Sequence, residues 1–136
     1  MKSHLIEPPY PFQRLLGFEI TDWTEGRCRL QQPMRPEIGN RFGIPHGGVH
    51  ASLLDTVMGF SGCYTGSASD IRQAMTLSLT ISYLSQPKGK WLIAEGWRIG
   101  GGKSTFFGES KLSDEDGNLI AKGSGTFRYR RGRASD

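Results

Sequence analysis

The amino-acid sequence predicts an α+β domain in which an antiparallel sheet of about six strands wraps one long buried helix. Apolar residues recur at steps of three and four over residues 47–69, which is the period of a helix. Apolar and polar residues alternate in six other segments, which is the period of strands. With 136 residues, the chain is long enough for one domain, residues 1–136, and too short for two.

The chain before the long helix predicts a lead-in, a hairpin and a loop. Three prolines favour an extended lead-in over residues 1–11, and Gly17 is placed to end a short helix. Alternating residues then indicate two strands joined by a turn at Glu25-Gly26. The predicted elements are a helix at 12–16, strands at 18–23 and 27–33, and a loop at 34–45.

Residues 47–69 predict a buried helix, because the segment is apolar almost all round and Asp55 is its only formally charged side chain. The glycines of the segment and its central carboxylate argue against a membrane span, which needs ~18 uncharged and strongly apolar residues in a row. The helix is therefore expected at the centre of the domain.

Beyond residue 69 the chain predicts four more strands, separated by glycine-containing turns. Their order suggests a meander, in which each strand pairs with the next one along the chain. The predicted strands are 75–84, 91–99, 105–113 and 119–129, and residues 131–136 are expected to form a loose tail.

The charge of the chain suits a phosphorylated ligand better than nucleic acid. Its formal net charge of +4 is mild, and part of it comes from an arginine cluster near the end of the chain. A nucleic-acid binder would carry basic and exposed aromatic residues along a whole face. Coenzyme A fits the mild basicity, although a solvated tail explains it as well. The cluster comprises Arg128, Arg130, Arg131 and Arg133.

The two cysteines and the N-terminal segment favour a cytoplasmic protein. Cys28 and Cys63 lie in apolar segments without a disulfide or metal-binding spacing, so reduced thiols are expected. The N-terminal segment lacks the apolar stretch of an export signal. No cofactor and no membrane partner are expected.

Two short motifs suggest binding sites that the surrounding residues do not support. The Gly-Lys-Ser run at 102–104 matches the end of a phosphate-binding loop, but the chain has Trp97 where that motif requires glycine. His46 and His50 stand four apart, as metal ligands on a helix do, yet no third ligand accompanies them, so no metal is expected. His46 is instead expected to fix the start of the helix by hydrogen bonds, and His50 to be a satisfied histidine on a packed face.

Asp55 requires an explanation, because an ionised carboxylate in a buried apolar helix is costly unless it is paired. Two interpretations are open: a structural hydrogen bond across a subunit interface, and a catalytic carboxylate. At the start of the same helix, Gly47 and Gly48 present amides without side chains in the way. These amides either serve tight backbone packing or form an oxyanion site at the positive end of the helix dipole.

The run NRFGIPHGG, residues 40–48, followed by Asp55, resembles the hotdog-fold thioesterases of the phenylacetate-pathway (PaaI-like) and 4-hydroxybenzoyl-CoA type. The resemblance covers most of the chain and leaves out residues 1–11 and the tail. It implies a hotdog fold and a homodimer or homotetramer. It also implies an acyl-CoA substrate that binds between subunits and is hydrolysed at its thioester.

The resemblance further implies roles for single residues. Asp55 would act as general base or nucleophile, Asn40 would orient the attacking water, and the Gly47 amide would hold the thioester oxygen. Thr76 would assist as a second polar group. The predicted catalytic residues are Asp55, Asn40, Gly47, His46 and Thr76.

Helix geometry fits a site shared between two chains. Gly48 and Asp55 are seven residues apart, which places them on one face but ~10 Å apart along the axis. An antiparallel helix of a second subunit would bring Asp55 of one chain to the Gly47 amide of the other, so an obligate dimer is expected. The predicted substrate-binding residues are Gly48, Leu54 and Met58 along the helix, with Lys103 and Arg130 for the CoA phosphates.

Two other functions remain open at this stage. An acyl-thioester hydratase or dehydratase on the same fold needs a histidine and a carboxylate acting together, and His46 could be recruited as that histidine. A non-catalytic acyl-CoA-binding protein would have a similar pocket but would release no thiol.

Overall fold

The computed structural model describes residues 6–130, in which a six-stranded antiparallel sheet curves around one long helix. The predicted α+β architecture is confirmed, whereas the predicted tail and the first five residues of the lead-in lie outside the described residues. The helices are α1 (Pro11–Leu16) and α2 (Gly47–Ser61), and a single 3-10 turn spans Pro36–Ile38. The strands are β1 (Glu19–Thr24), β2 (Arg27–Pro33), β3 (Ala74–Tyr83), β4 (Trp91–Gly101), β5 (Thr105–Asp114) and β6 (Leu119–Tyr129).

The order of the strands differs from the predicted meander. The sheet runs β1-β2-β4-β5-β6-β3, so β3 pairs with β6 at the far edge and does not pair with β4. The prediction was wrong for β3 because alternation identifies a strand without identifying the strand it pairs with. As a result β3 is an edge strand, and none of its residues is buried.

Helix α2 ends at Ser61, well before the predicted end at residue 69. Two aromatic side chains satisfy its last carbonyls: Trp23 Nε1 donates to the Phe60 carbonyl (2.8 Å) and the Tyr129 hydroxyl to the Gly62 carbonyl (2.8 Å). Tyr64, which continued the apolar period, packs edge-to-face on Trp23 from the loop that follows. The helical spacing of apolar residues therefore continues past the end of the helix, because residues of the following loop are also packed against the core.

Neither helix within residues 6–130 has the length and hydropathy required to cross a membrane. The core of the domain lies between α2 and the inner face of the sheet, and its helical side chains are fully buried. They are Leu53, Leu54, Val57 and Met58.

Glycines on the inner face of the sheet allow α2 to lie close to the strands. A Cβ built on Gly96 of β4 would lie 2.5 Å from the carbonyl carbon of Val57 in α2. A Cβ on Gly108 of β5 would lie 3.1 Å from the Cβ of Met58. Of these two glycines, Gly96 is the one that lies against helix backbone.

Replacing Gly96 by alanine is expected to lower the free energy of unfolding by about 1–3 kcal/mol. The added methyl group would meet helix backbone, which cannot rotate away as a side chain can. Gly102→Ala is the matched control, because a Cβ there has nothing within 4 Å, and it is expected to change stability by less than about 0.5 kcal/mol. Urea unfolding compares the two variants, and equal effects would contradict the close approach of helix and sheet.

Candidate active site

His46 fixes the start of helix α2. Its amide donates to the Ile38 carbonyl (2.8 Å), and its Nδ1 accepts a hydrogen bond from the Gly48 amide (2.8 Å), so His46 is the N-cap. The hydrogen bonds expected of His46 at this position are confirmed. Because Nδ1 accepts an N–H, Nε2 is the ring nitrogen that can donate a hydrogen bond.

The Gly47 amide is a free donor at the positive end of the α2 dipole. Among residues 6–130 it donates to no protein acceptor, whereas the Gly48 amide is taken by His46. The Tyr83 hydroxyl donates to the Gly47 carbonyl (2.6 Å), and the Tyr83 ring lies 3.3 Å from the point where a Cβ would be. This arrangement fits an oxyanion site with one backbone donor.

Asn40 closes the loop that leads to His46. Its side-chain Oδ1 accepts hydrogen bonds from the backbone amides of Phe42 (2.9 Å) and Ile44 (3.3 Å). Its backbone amide donates to the Ile44 carbonyl (2.7 Å). These bonds use the side-chain oxygen and leave the side-chain NH₂ group for another acceptor. The role of Asn40 in orienting water remains a prediction.

Asp55 is half-buried on the side of α2 that faces β3. There the Thr76 hydroxyl donates to Asp55 Oδ1 at 2.7 Å. Burial raises the pKa of the Asp55 carboxyl, and the Thr76 hydrogen bond opposes the rise because it favours the ionised form. A partly dry carboxylate of this kind is suited to act as a general base.

Asp55 and Thr76 line a cavity of about 290 Å³. This volume lies near the lower end of the range for small-molecule sites, roughly 300–1,000 Å³. Aromatic rings form part of the wall, and polar side chains from the lead-in and from the loop before β3 complete it. The side chains used below are Glu7, Tyr10, Trp23, Phe60, Arg72 and Arg130.

Most of the residues that line the cavity were missing from the predicted site, among them Glu7, Tyr10 and Arg72. Burial raises the pKa of Tyr10, and a hydrogen bond with the Thr56 side chain opposes that rise. The negative charge of the Asp55 carboxylate adds to the rise, which indicates that the phenol lies near the candidate base. The only sequence signal for Tyr10 is its position among prolines in the lead-in, which holds that segment extended.

The structure separates the predicted substrate-binding residues. Arg130 lines the cavity, whereas Lys103 is exposed in the turn between β4 and β5. Leu54 and Met58 are fully buried in the core and do not line the cavity beside Asp55. His50 is buried as expected, but within residues 6–130 its Nδ1 has no hydrogen-bond partner, so the expectation of a satisfied histidine was wrong.

Neither a metal site nor a disulfide is present in the described part of the chain. Residues 6–130 contain no group of three or more His, Cys, Asp or Glu side chains that could hold a metal ion. Cys28 and Cys63 are buried and form no disulfide, and burial raises the pKa of the Cys28 thiol, so that thiol stays protonated.

The site combines a carboxylate at a small cavity with a free amide at a helix N-terminus. The family model of the thioesterase superfamily matches residues 42–121, which include both groups. The chain belongs to the thioesterase superfamily. It is accordingly a thioester hydrolase, and the family resemblance carried by residues 40–48 and Asp55 is confirmed.

Three proteins similar to this chain accompany the assignment. A provisionally named esterase of Saccharolobus solfataricus is 29% identical over 115 residues, which cover 84% of this chain and 79% of the relative. A Bacillus halodurans protein, crystallised with CoA, is 30% identical with a TM-score of 0.75, and the match covers 90% of this chain and 80% of that one. The PaaI protein of the E. coli phenylacetic acid degradation operon is 20% identical with a TM-score of 0.77, covering 90% and 86% of the two chains, and it confirms the hotdog fold.

Proposed function

We propose that this thioesterase hydrolyses an acyl-CoA to the free acid and CoA, with Asp55 as the residue that activates water or attacks the thioester. The observation that carries the proposal is the half-buried Asp55 carboxylate, hydrogen-bonded by Thr76 (2.7 Å) at the wall of a small cavity. The CoA in the Bacillus halodurans relative supports a CoA thioester as the substrate.

The proposed catalytic unit is a homodimer. Gly47 and Asp55 of one chain are eight residues apart on α2, or ~12 Å along its axis, which is too far for both to contact one thioester carbonyl. Two copies of α2 lying antiparallel would bring Asp55 of one chain to the Gly47 amide of the other and create two equal sites. The homotetramer implied by the family resemblance remains a prediction for sedimentation analysis.

The open edge of β3 supports pairing between the two chains. An edge strand presents unpaired backbone groups, and exposed apolar side chains accompany them here: Met75 is 49% exposed, Leu77 54% and Tyr83 55%. Pairing β3 with its copy would join the two sheets into one and place the two copies of α2 side by side.

In the proposed reaction, the Asp55 carboxylate takes a proton from water as the water oxygen attacks the thioester carbonyl carbon. The Gly47 amide of the second subunit then holds the negative oxygen of the tetrahedral intermediate. When the intermediate collapses, the C–S bond breaks, and the proton on Asp55 passes to the thiolate sulfur to release CoA.

A second route starts with attack by Asp55 itself, which expels the thiolate and leaves an anhydride that water then hydrolyses. Single-turnover hydrolysis in ¹⁸O-labelled water separates the two routes. The anhydride route can place the label in the Asp55 carboxylate, because water can attack the Asp55 side of the anhydride. The general-base route places it in the released acid alone.

Thr76→Val is expected to shift the acidic limb of the kcat/KM profile to higher pH. The base must be ionised, so activity is lost as pH falls through its pKa, and loss of the Thr76 hydrogen bond raises the pKa of Asp55 further. On that limb the variant is expected to be roughly tenfold slower than the parent. Thr80→Val is the control, because Thr80 is an exposed threonine of the same strand with no bond to Asp55, and a shift in both variants would contradict this role of Thr76.

Free-thiol release from short, long and aromatic acyl-CoAs tests the proposal. The expected result is release from at least one acyl-CoA, together with no hydration of a 2-enoyl-CoA. Hydration without thiol release would identify a hydratase, and tight binding without either reaction would identify a non-catalytic binding protein. The engagement of His46 Nδ1 by the Gly48 amide argues against the hydratase, since that nitrogen is not free to act as a base.

A further inference from the structure

The cavity beside Asp55 is lined by side chains of both charges. Asp55 and Glu7 are its carboxyl groups, and Tyr10 lies close to both of them. Arg72 and Arg130 are its cations. Burial raises the pKa of both carboxyls.

An aromatic ring holds Arg72 in place. The Arg72 guanidinium lies over the Tyr129 ring, 3.3 Å from guanidinium carbon to ring centroid. The Tyr129 hydroxyl in turn binds the Gly62 carbonyl at the end of α2 (2.8 Å). These contacts fix the Arg72 guanidinium relative to the end of α2, the helix that carries Asp55.

The carboxyls that line the cavity do not neutralise its arginines. Within residues 6–130, no ion pair joins Arg72 or Arg130 to Asp55 or Glu7. The Arg72 Nε atom is buried without any hydrogen-bond partner in that range, and an Arg72 terminal nitrogen reaches the Lys103 carbonyl only at 3.5 Å. A guanidinium held rigidly by ring stacking, with donors to spare, is suited to bind a carboxylate through two parallel hydrogen bonds.

We propose that the acyl group cleaved by this enzyme is short and ends in a carboxylate, which Arg72 and Arg130 bind while the thioester carbonyl lies at Asp55. This inference rests on the proposed thioesterase function and specifies its substrate class. The cavity of about 290 Å³ contains the base and both arginines, and Trp23 and Phe60 line it as apolar contacts for the methylene groups of a short chain.

A CoA phosphate is the other anion that these arginines could bind. In CoA the long pantetheine arm separates the thioester from the diphosphate, and that arm would have to fold into the small cavity to bring a phosphate to Arg72. The terminal carboxylate of a short acyl group needs no such folding, because the acyl group lies beside the thioester carbonyl in the cavity that contains Asp55, Arg72 and Arg130.

Paired substrates of equal carbon number test the inference. Glutaryl-CoA carries a carboxylate at the far end of its acyl chain, where pentanoyl-CoA carries a methyl group. The rate of thiol release gives kcat/KM for each. The parent is expected to prefer glutaryl-CoA by roughly ten- to a hundred-fold, and Arg72→Gln to abolish most of that preference. Arg98→Gln is the matched control, because Arg98 is an exposed arginine that also interacts with Tyr129 but does not line the cavity.

Thioesters of N-acetylcysteamine, which carry no phosphate, separate the two sources of the anion. The preference for the glutaryl group is expected to persist in them and to fall again in Arg72→Gln, or in Arg130→Gln if the first variant does not fold. Equal turnover of the glutaryl and pentanoyl thioesters by the parent would overturn the inference and leave the proposed function intact. An effect of Arg72→Gln that is equal for both acyl groups and disappears without phosphates would assign the arginines to CoA and overturn it too. Absence of thiol release from every thioester would instead reject the proposed function itself.

Discussion

Asp55→Asn is expected to lower kcat for thioester hydrolysis by about a hundred- to ten-thousand-fold while the protein stays folded. The asparagine side chain can still accept the hydrogen bond from Thr76, but it cannot take a proton from water or form an anhydride. Thiol release under saturating acyl-CoA measures the loss. Asp22→Asn is the control, because Asp22 is an exposed aspartate on β1, and this variant is expected to retain the activity of the parent.

The stability of the same variant distinguishes a catalytic carboxylate from a structural one. Because burial raises the pKa of Asp55, the folded state favours the protonated form, and stability is lost as pH rises from the ordinary pKa of aspartate through the folded value. Asparagine carries no charge, so the thermal midpoint at pH 7 is expected to equal or exceed that of the parent. A lowered midpoint together with full activity would assign Asp55 a structural role.

Leu79→Lys is expected to convert the dimer to a monomer and to reduce activity more than a hundred-fold. Leu79 and Ile81 lie on the same side of β3, and a Cβ on Gly123 would be 3.1 Å from Ile81 Cδ1 and 3.5 Å from Leu54 Cβ, so that side faces α2. In the proposed dimer this side also meets the partner. A lysine there would bury an unpaired charge, which costs several kcal/mol at an interface.

Thr80→Lys provides the matched control for the dimer interface. Thr80 is the next residue of β3 and points to the opposite face of the sheet, where a continuous sheet stays in contact with solvent. This variant is expected to remain dimeric and active. Sedimentation velocity and thiol release on both variants test the pair, and an active monomeric Leu79→Lys protein would contradict the shared site.

The start of α2 and its neighbouring groups were predictable because they are close in sequence. A glycine pair before an apolar period indicates the start of the helix, and a lone carboxylate in that period identifies Asp55. His46 as a hydrogen-bonding residue at the helix start also follows from local geometry, because an N-cap binds an amide two residues away.

The rest of the cavity was not predictable because its residues meet only through the topology. Glu7, Tyr10 and Arg72 come from segments that showed no helical or strand period, and they reach Asp55 or Tyr129 across the fold. The end of α2 depends likewise on Trp23, a residue of β1. Such contacts depend on which strands pair. The alternation of apolar and polar residues identifies β3 as a strand but does not indicate that it crosses to the far edge of the sheet.

Subunit mixing tests most directly the claim that a carboxylate of one chain and a helix start of another hydrolyse a thioester together. Asp55→Asn removes the base, and Asn40→Ala disturbs the loop that positions Gly47, so each variant alone is expected to be inactive. In a mixed dimer of the two, one site receives both changes and the other receives neither. Refolding the two variants together in equal amounts is therefore expected to restore roughly a quarter of the parental thiol release. If the mixture stays as inactive as its components, although dimers of both chains have formed, each site lies within one chain and the account is contradicted.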